Sequence, residues 1–600
     1  MTFTPVRTIR SIGESALAMI VVLFALLGWS ARFASPARAS QSSARPGQSG
    51  PIVQQVPVAE AKAAEVKEAI AAYLISGLDP ALGVLIPPER RELEDFYGRR
   101  DHRPLWIDAA GRPGLDAGDA LKILRDAADD GLEPADYAVG QLDRLMSKLR
   151  APPRSLADLA SFDVALSASL LRYLHQLHAG RIDPRTIGLR LAVPADRHDF
   201  AALVQSAVAE HRMSEAVAGL RPQLAQYRAL RTTLTKYRSI ARDLDTPSMA
   251  LPAFARVVHP GEAYPGIDAL QRRLVALGDL PAGTVAATGS TEYRGALVDG
   301  VKRFQRRHGL AQDGIIGRSS DVALRIPIAT RVRQIELALE RLRWLPHLGE
   351  QRLLAINIPM FRVWAWDAIP PDGEPLFGMD VIVGRALRTQ TPVFVEQLQE
   401  LIFRPYWNVP SSIVRHEILP RLDRDPEYLR REQMEIVLGP GDDARVVADT
   451  PENLVRLRQG TLRLRQRPGP QNALGLVKFV FPNSENVYMH GTPAQALFSR
   501  SRRDFSHGCV RVENPIALAG WALKEQPQWT RDRIVAAMTG TESIRVQLLK
   551  PIQVILFYTT AAVMPDDGTI HFAEDIYLHD ALLDRALARS ANVEAGVRPR

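Results

Sequence analysis

The spacing of apolar side chains divides the chain into a helical first half and a strand-rich second half. Between about Ala61 and Ala250, apolar residues recur every three or four positions, which predicts amphipathic helices around a core. One helix is predicted from Phe162 to His178, and Gly180 just past its end is a stop signal. No histidine is spaced to join Asp129 and Asp130 in a site, so we interpret this pair as a solvated helix end.

A shorter helical pattern occupies the residues from Tyr264 to Pro327. Two amphipathic stretches within it end at Gly278 and Gly309, and a turn at residues 313–317 precedes a third stretch. The pattern predicts a separate bundle of three short helices. A linking helix with one apolar side is predicted next, over residues 328–348.

After the linking helix the apolar period changes to two, which predicts a mostly β domain. The predicted strands cover residues 353–359, 362–367, 379–383, 392–404, 476–481, 544–563 and 568–577. The segment from Ser411 to Gly469 interrupts them and is far longer than the roughly 2–6 residues of an ordinary connection. Its many apolar residues predict a folded insertion. A short amphipathic helix is predicted near the C-terminus.

The N-terminus has the pattern of an export signal. Arg7 and Arg10 precede an apolar run from Ala16 to Trp29, and Ala37-Arg38-Ala39 follows it. The run is shorter than the ~20 residues that a spanning helix prefers, yet an uncleaved signal would anchor the protein in the inner membrane. Both alternatives stay open. Residues 40–60 are rich in Ser, Gln, Pro and Gly and predict a flexible linker.

Composition narrows the class of protein. A chain of 600 residues with 46% hydrophobic and 24% charged residues predicts about three to five globular domains. The formal net charge of +8 indicates an anionic polymer as partner. Because the chain is expected to be exported, the expected partner is a wall polymer and not a nucleic acid. We see no metal-ligand cluster or phosphate loop in the sequence and expect no cofactor.

The only cysteine lies in the stretch Ser506-His507-Gly508-Cys509-Val510-Arg511, downstream of His490. A lone cysteine is usually a small buried hydrophobe. A cysteine near a histidine can instead lose its proton and act as a thiolate nucleophile. The residues by themselves leave these two interpretations open.

These motifs resemble the catalytic domain of the L,D-transpeptidases, bacterial cell-wall enzymes with a catalytic cysteine. The matching stretches are His490-Gly491-Thr492, Ser506 to Arg511, Val383 to Arg385, Thr391 to Phe394, Trp407 to Pro410, Asn472 to Gly475 and Lys478-Phe479. Gly491 departs from the Asp that is common in the large periplasmic branch. Pro104 to Trp106 and Asp130 to Tyr137 resemble the scaffold region of that branch. Leu270-Gln271, Phe304-Gln305 and the turn 313–317 resemble the peptidoglycan-binding domain.

The resemblance implies a role for each candidate residue. Cys509 is the expected nucleophile, His490 the proton acceptor, and the amides of Gly508 and Cys509 the oxyanion donors. His507 either fixes the loop or is itself the proton acceptor. The residues expected to bind substrate are Arg511, Ser506, Trp407, Asn408 and Tyr488.

The resemblance also implies a reaction. It is the release of the terminal D-Ala from a tetrapeptide stem and the transfer of the acyl group from cysteine to a second stem, which gives a 3→3 peptidoglycan cross-link. Three alternatives stay open: an L,D-carboxypeptidase, attachment of a lipoprotein to peptidoglycan, and an inactive wall-anchoring protein. Expected partners are peptidoglycan stem peptides and glycan, with carbapenem β-lactams as inhibitors. The expected location is the periplasm.

The predicted fold class is multidomain α+β: a helical scaffold, a three-helix peptidoglycan-binding module and a mostly β catalytic domain. The resemblance implies that the insertion is a cap over Cys509, whose arginines, Arg463 and Arg465 among them, meet substrate carboxylates; the alternative is a scaffold that protects a sheet edge. The predicted units are a signal at 1–39, a linker at 40–60, the scaffold at 61–255, the module at 262–327, the linking helix at 328–348, the catalytic domain at 349–563 with its cap at 411–469, and a C-terminal extension packed on the catalytic half at 564–600.

Overall fold

The first half of the protein is helical, as the apolar spacing predicts. The computed structural model describes residues 58–76, 85–191, 198–246, 250–284, 291–345, 348, 351–368, 375–386 and 389–594. The helices up to residue 244 are α1 (Val58–Ser76), α2 (Pro87–Arg99), α3 (Leu115–Arg125), α4 (Val139–Leu149), α5 (Leu156–Ala179), α6 (Phe200–Ala209), α7 (Met213–Leu220) and α8 (Ala225–Leu244). The predicted export signal lies outside the described residues, and α1 begins inside the predicted linker.

Helix α5 is the centre of this region. Ser155 caps its N-terminus by accepting a hydrogen bond from the amide of Asp158. Leu166, Leu170 and Leu174 are fully buried, so the helix is covered on most of its surface by its neighbours. None of the described helices is long and apolar enough to span a membrane.

The interpretation of Asp130 as part of a solvated helix end is wrong. Its side chain is 0% exposed and forms ion pairs with Arg221 at 3.1 Å and Arg231 at 2.6 Å. The hydroxyl of Tyr227 donates to the same carboxylate at 3.1 Å, and the guanidinium of Arg343 donates to the Asp130 carbonyl. A buried charge needs such partners, and they connect the end of α3 to helices that lie far along the chain.

The predicted three-helix bundle and linking helix are present. They are α9 (Ile267–Leu277), α10 (Ala296–Arg307), α11 (Arg318–Arg325) and α12 (Ile328–Arg343). The bundle does not stand apart from the rest, because Leu274 and Phe304 belong to one apolar cluster with Tyr237 of α8 and Phe572 of the catalytic half. The module therefore shares a core with its neighbours.

The second half is built on β-strands with a few short helices. Its strands are β1 (Leu353–Asn357), β2 (Arg362–Trp366), β3 (Phe377–Gly384), β4 (Phe394–Phe403), β5 (Trp407–Asn408), β6 (Met434–Leu438), β7 (Arg445–Val447), β8 (Arg463–Gln466), β9 (Val477–Val480), β10 (Met489–His490), β11 (Asp504–Ser506), β12 (Val510–Val512), β13 (Ile544–Phe557), β14 (Ala561–Val563) and β15 (Ile570–Phe572). The helices are α13 (Ser411–Ile413), α14 (Leu419–Leu422), α15 (Tyr428–Arg431), α16 (Pro451–Arg458), α17 (Pro515–Ala522), α18 (Arg531–Thr539) and α19 (His579–Glu594).

A mixed nine-stranded sheet forms the main body, in the order β11-β3-β12-β10-β9-β4-β13-β1-β2. Strand β2 also pairs with β3, so the sheet closes on itself around an apolar core. Helix α19 packs on this core through Leu583 and Leu587. The whole is a multidomain α+β fold, as predicted.

The insertion is folded, as its apolar residues predict. Strands β5, β8, β6 and β7 form a separate four-stranded sheet, and a π-helical turn at Val414–Ile418 joins α13 to α14. Ile413, Leu429 and Leu464 belong to an apolar cluster of its own. The insertion is therefore a small subdomain with its own core, and in the chain it lies between β4 and β9 of the main sheet.

Candidate active site

The candidate residues gather on one face of three neighbouring strands. Strand β10 runs parallel to β12 and antiparallel to β9, with His490 in register with Arg511 on one side and Lys478 on the other. Successive residues of a strand point to opposite faces. Met489 and Val510 are fully buried in the core, so His490, Arg511 and Lys478 lie on the other face.

The nucleophile candidate lies on that same face. Cys509 is two positions before Arg511, and Tyr488 is two positions before His490, so the strand alternation places both beside them. The Val510 amide donates to the Tyr488 carbonyl at 3.0 Å, which fixes the two chains side by side. The sequence motifs at 478, 488–490 and 509–511 therefore form one cluster.

Hydrogen bonds hold the loop before Cys509 in shape. The hydroxyl of Ser506 donates to the Cys509 carbonyl at 2.5 Å and accepts from the Gly508 amide at 3.2 Å. Gly508 has a φ of 111°, a backbone conformation that favours glycine. Ser506 is buried, so its position supports the loop and not direct contact with substrate. Because the Gly508 amide is engaged, the Cys509 amide is the better candidate for an oxyanion donor.

Two further residues support this loop from behind. The Thr391 hydroxyl donates to the Gly508 carbonyl at 2.7 Å and accepts from the Gly384 amide at 2.8 Å. The Tyr577 hydroxyl donates to the Gly384 carbonyl at 2.6 Å and accepts from the Thr391 amide at 3.1 Å. The C-terminal segment thus helps to position the loop that carries the cysteine.

The Cys509 thiol is half-buried, and its Sγ lies 3.8 Å from the Asn486 carbonyl oxygen. Burial raises the pKa of this thiol, because a thiolate loses solvation there. Hydrogen bonds from the Tyr488 backbone and hydroxyl, together with the charges of Lys478 and Arg511, oppose that rise. The site therefore contains groups that stabilise a thiolate, and they offset part of the free energy that burial of the charge costs.

His490 is buried at 5% exposure, and its Nδ1 lies 2.5 Å from the Gly491 carbonyl oxygen. Burial, with the charges of Arg511 and Lys478, lowers the pKa of His490 to about 3. The ring is therefore neutral at physiological pH, with its Nδ1 proton directed at a carbonyl. Within the described part of the chain, no hydrogen bond joins this ring to Cys509.

His507 faces the insertion. Its Nε2 lies 2.5 Å from Oε1 of Glu417, which belongs to the π-helical turn of the insertion. The residue therefore connects the nucleophile loop to the subdomain that was predicted to cap it. Of its two predicted roles, this contact favours fixing the loop.

Arg511 is the candidate for binding a substrate carboxylate. Burial and repulsion from Arg385 lower the pKa of its guanidinium, and its Nε has no hydrogen-bond partner. Neither arginine has a carboxylate within 4 Å among the described residues. Arg511, on the face of the thiol, and its neighbour Arg385 thus remain available to an anionic group.

Trp407 and Asn408 lie where the main sheet joins the insertion. They form β5, which pairs with β8 of the insertion sheet. Trp407 packs against the apolar cluster of the insertion, and the Asn408 side chain donates to Asp442 at 3.0 Å. Their observed contacts are structural, and no hydrogen bond to Cys509 is found for either in the described structure.

Sequence reasoning gave no role to three residues that the fold brings to the site. Lys478 lies on the reactive face, Arg385 lies near Arg511, and Glu417 contacts His507. Lys478 was visible as the only charge in the alternating stretch Val477–Val480, and Arg385 as the end of a matched motif. Nothing in the local sequence marks Glu417. The described residues contain no group of side chains that could hold a metal ion.

Comparison with known families agrees with the three domain types. Residues 91–234 match the scaffold domain, residues 264–319 the "Putative peptidoglycan binding domain", and residues 351–544 the L,D-transpeptidase catalytic domain. A Haemophilus influenzae protein named "Putative L,D-transpeptidase" is 31% identical over 259 residues, which are 42% of this chain and 49% of that protein. The alignment thus spans about half the length of this curated relative.

A solved structure, the crystal structure of an L,D-transpeptidase from Xylanimonas cellulosilytica, is 18% identical; the match covers 51% of this chain and 100% of that chain, with a TM-score of 0.15. A TM-score this low shows no common fold between the two structures. The domain matches and the cluster around Cys509 do not depend on this comparison. Residues 351–544 therefore match the L,D-transpeptidase catalytic domain, and they follow segments that match a scaffold domain and a peptidoglycan-binding domain.

Proposed function

We propose that this protein is a periplasmic L,D-transpeptidase that forms 3→3 cross-links through a thioester on Cys509. The observation that carries the proposal is the position of Cys509. Its thiol is half-buried on a polar sheet face beside Tyr488, His490 and Arg511, inside the segment that matches the catalytic domain. A cysteine that served only to fill the core would point to the opposite face, where Val510 is fully buried.

The proposed reaction has two steps. The Cys509 thiolate attacks the carbonyl carbon of the third stem residue, the bond from that carbon to the D-Ala nitrogen breaks, and the leaving amine takes a proton. The Cys509 amide faces the developing oxyanion. An amine of a second stem then attacks the thioester, loses a proton, and releases the sulfur as the new amide forms.

The proposed partner is the peptidoglycan of the cell wall. The peptidoglycan-binding domain match supports this, and Arg511 with its neighbour Arg385 suits the carboxylates of stem peptides. An enzyme of this kind works outside the cytoplasm, in line with the export pattern of residues 1–39.

Purified muropeptides test the proposal. The protein is incubated with tetrapeptide-stem muropeptides, with the variant Cys509→Ala as control, and the products are analysed by mass. We expect 3→3 dimers from the wild type and none from the variant. Tripeptide stems without dimers would indicate a carboxypeptidase, and no turnover under any condition would indicate a wall-anchoring protein.

A further inference from the structure

Lys478 is a cation on the reactive face for which the fold offers no ordinary partner. It is half-buried on β9, and no carboxylate lies within 4 Å of its Nζ among the described residues. Its closest recorded contact is the ring of Tyr488, whose centroid lies 3.8 Å from Nζ. A buried ammonium group is usually paired with an anion, so a half-buried lysine without a carboxylate partner needs a physical explanation.

Tyr488 connects this cation to the nucleophile. Its backbone lies beside the Cys509 segment, because the Val510 amide donates to the Tyr488 carbonyl at 3.0 Å, and its ring carries Lys478 on one face. Burial and the nearby sulfur hold the pKa of Tyr488 well above its ordinary value, so the phenol keeps its proton and can donate it to a thiolate. A cation on the face of that ring is attracted by the π electrons.

The acidic groups that face Lys478 are already engaged by another residue. They are Asp442 from the insertion and Glu400 from β4. Arg545 of β13 forms an ion pair with Asp442 at 2.7 Å and with Glu400 at 3.1 Å. Asn408 also donates to Asp442, and Gln547 donates to Glu400, each at 3.0 Å, so both carboxylates are engaged by other donors and neither forms an ion pair with Lys478 in the described structure. A thiolate at Cys509 would give the ammonium a further anionic partner.

The groups that face Cys509 from the other elements are less suited to this role. His490 is neutral and directs Nδ1 to the Gly491 carbonyl, and His507 is bonded to Glu417. Arg511 also lowers the pKa of the thiol, but Lys478 has the larger effect of the two. The two effects add, since both residues lie on the same face.

We propose that Lys478 is the cation that stabilises the Cys509 thiolate, and that the ring and hydroxyl of Tyr488 hold the two groups in position. The proposal rests on the proposed function only in taking Cys509 as the nucleophile. In the free enzyme the thiol proton leaves to solvent, and the sulfur keeps the electron pair with which it later attacks. Lys478 acts through the sulfur and is therefore a positioning residue.

The pH dependence of alkylation by iodoacetamide tests this proposal in the full-length chain. The rate is measured from pH 5 to 10 for the wild type, Lys478→Met, Lys478→Arg and the control Lys550→Met, whose side chain is 77% exposed on β13. We expect Lys478→Met to raise the thiol pKa by about one pH unit, with about tenfold slower alkylation at pH 7. Lys478→Arg should restore part of this loss, and Lys550→Met should match the wild type.

An unchanged thiol pKa in a folded Lys478→Met would overturn the proposal, and so would a larger increase in His490→Gln. If Lys478→Met fails to fold by circular dichroism, Tyr488→Phe replaces it. That variant keeps the ring under the ammonium and should raise the thiol pKa because it lacks the hydroxyl donor. Alkylation requires no substrate, so these results are independent of the muropeptide assay.

Discussion

Cys509 is held by backbone and hydroxyl groups that do not involve its sulfur. Ser506 bonds to the Cys509 carbonyl and the Gly508 amide, and Thr391 bonds to the Gly508 carbonyl. Removing the sulfur therefore leaves the loop intact. A substitution at Cys509 therefore tests the role of the sulfur without disturbing the loop.

We expect Cys509→Ala to lose all turnover and all covalent labelling by a carbapenem, while wild type gains one adduct. The free energy of unfolding should change by about 1 kcal/mol or less, since a single half-buried sulfur is lost. Intact-mass spectra and thermal denaturation measure the two effects. Wild-type product formation by this variant would exclude Cys509 as the nucleophile.

His490 should make the protein sensitive to acid. Its pKa is about 3 when folded, against an ordinary value of about 6.5 in an unfolded chain. Between these values the unfolded chain binds the extra proton, so stability is full above pH 6.5 and is lost as the pH falls towards 3. We expect the melting temperature to drop less between pH 7 and pH 5 in His490→Gln than in wild type. Equal drops in melting temperature for the two proteins would contradict the low pKa assigned to His490.

At the scale of elements, one of the two insertion arginines that were predicted to bind substrate has a structural role instead. Both Arg463 and Arg465 were expected to meet substrate. Arg465 is instead buried, with Nε 2.9 Å from Glu435 and its guanidinium 4.3 Å from the ring centroid of Tyr406. It also donates to the Asp442 carbonyl. Arg463 is exposed, and its side chain forms no ion pair or hydrogen bond in the described structure, so the prediction of substrate contact now rests on Arg463 alone of the two.

The two arginines should therefore give opposite results. Arg465→Gln leaves Glu435 without its closest partner and should lower the local stability of the insertion by about 3 kcal/mol. Arg463→Gln should change that stability by less than about 0.5 kcal/mol and should raise KM for the acceptor stem. Hydrogen exchange of residues 434–466 and steady-state kinetics measure these effects. Equal protection in both variants would refute the structural role of Arg465.

At the scale of the whole molecule, an arginine from a buried ion pair within the peptidoglycan-binding domain also donates a hydrogen bond to the catalytic half. Arg307 of α10 bonds to Asp279 at 2.5 Å and to the Ile570 carbonyl in β15 at 2.9 Å. The two charged side chains are 4% and 1% exposed. The sequence suggested a separable wall-binding module with a basic helix face. The structure makes Arg307 part of its junction with the strands.

This junction predicts one cooperative unfolding transition for the module and the catalytic half. Arg307→Met leaves Asp279 as a buried unpaired charge and should cost about 3–5 kcal/mol, lowering the temperature of the whole transition. Lys302→Met, an exposed position on the same helix, is the matched control and should have no effect. Calorimetry distinguishes the outcomes. Two separate transitions, with only one of them moved by Arg307→Met, would show that the module is independent.

The local spacing of apolar residues was enough to predict much of this architecture. The strand predicted at 362–367 is β2 (Arg362–Trp366), the linking helix is α12, and the apolar residues of 411–469 form a folded subdomain. Such predictions succeed because burial of one face imposes a period of two on a strand and of about 3.6 on a helix. The motifs around His490 and Cys509 likewise indicated an L,D-transpeptidase catalytic domain, which residues 351–544 match, because these motifs are short and continuous in the chain.

Tertiary structure decided which charged groups are structural and which are free. Asp130, Arg307 and Arg465 look like surface residues in the sequence, and each is buried with partners distant in the chain. Lys478 looks like an ordinary strand residue, and only the pairing of β9 with β10 and of β10 with β12 sets it against the Tyr488 ring and on the same face as the thiol. The free energy of a charge depends on what surrounds it in space, and no local pattern contains that information.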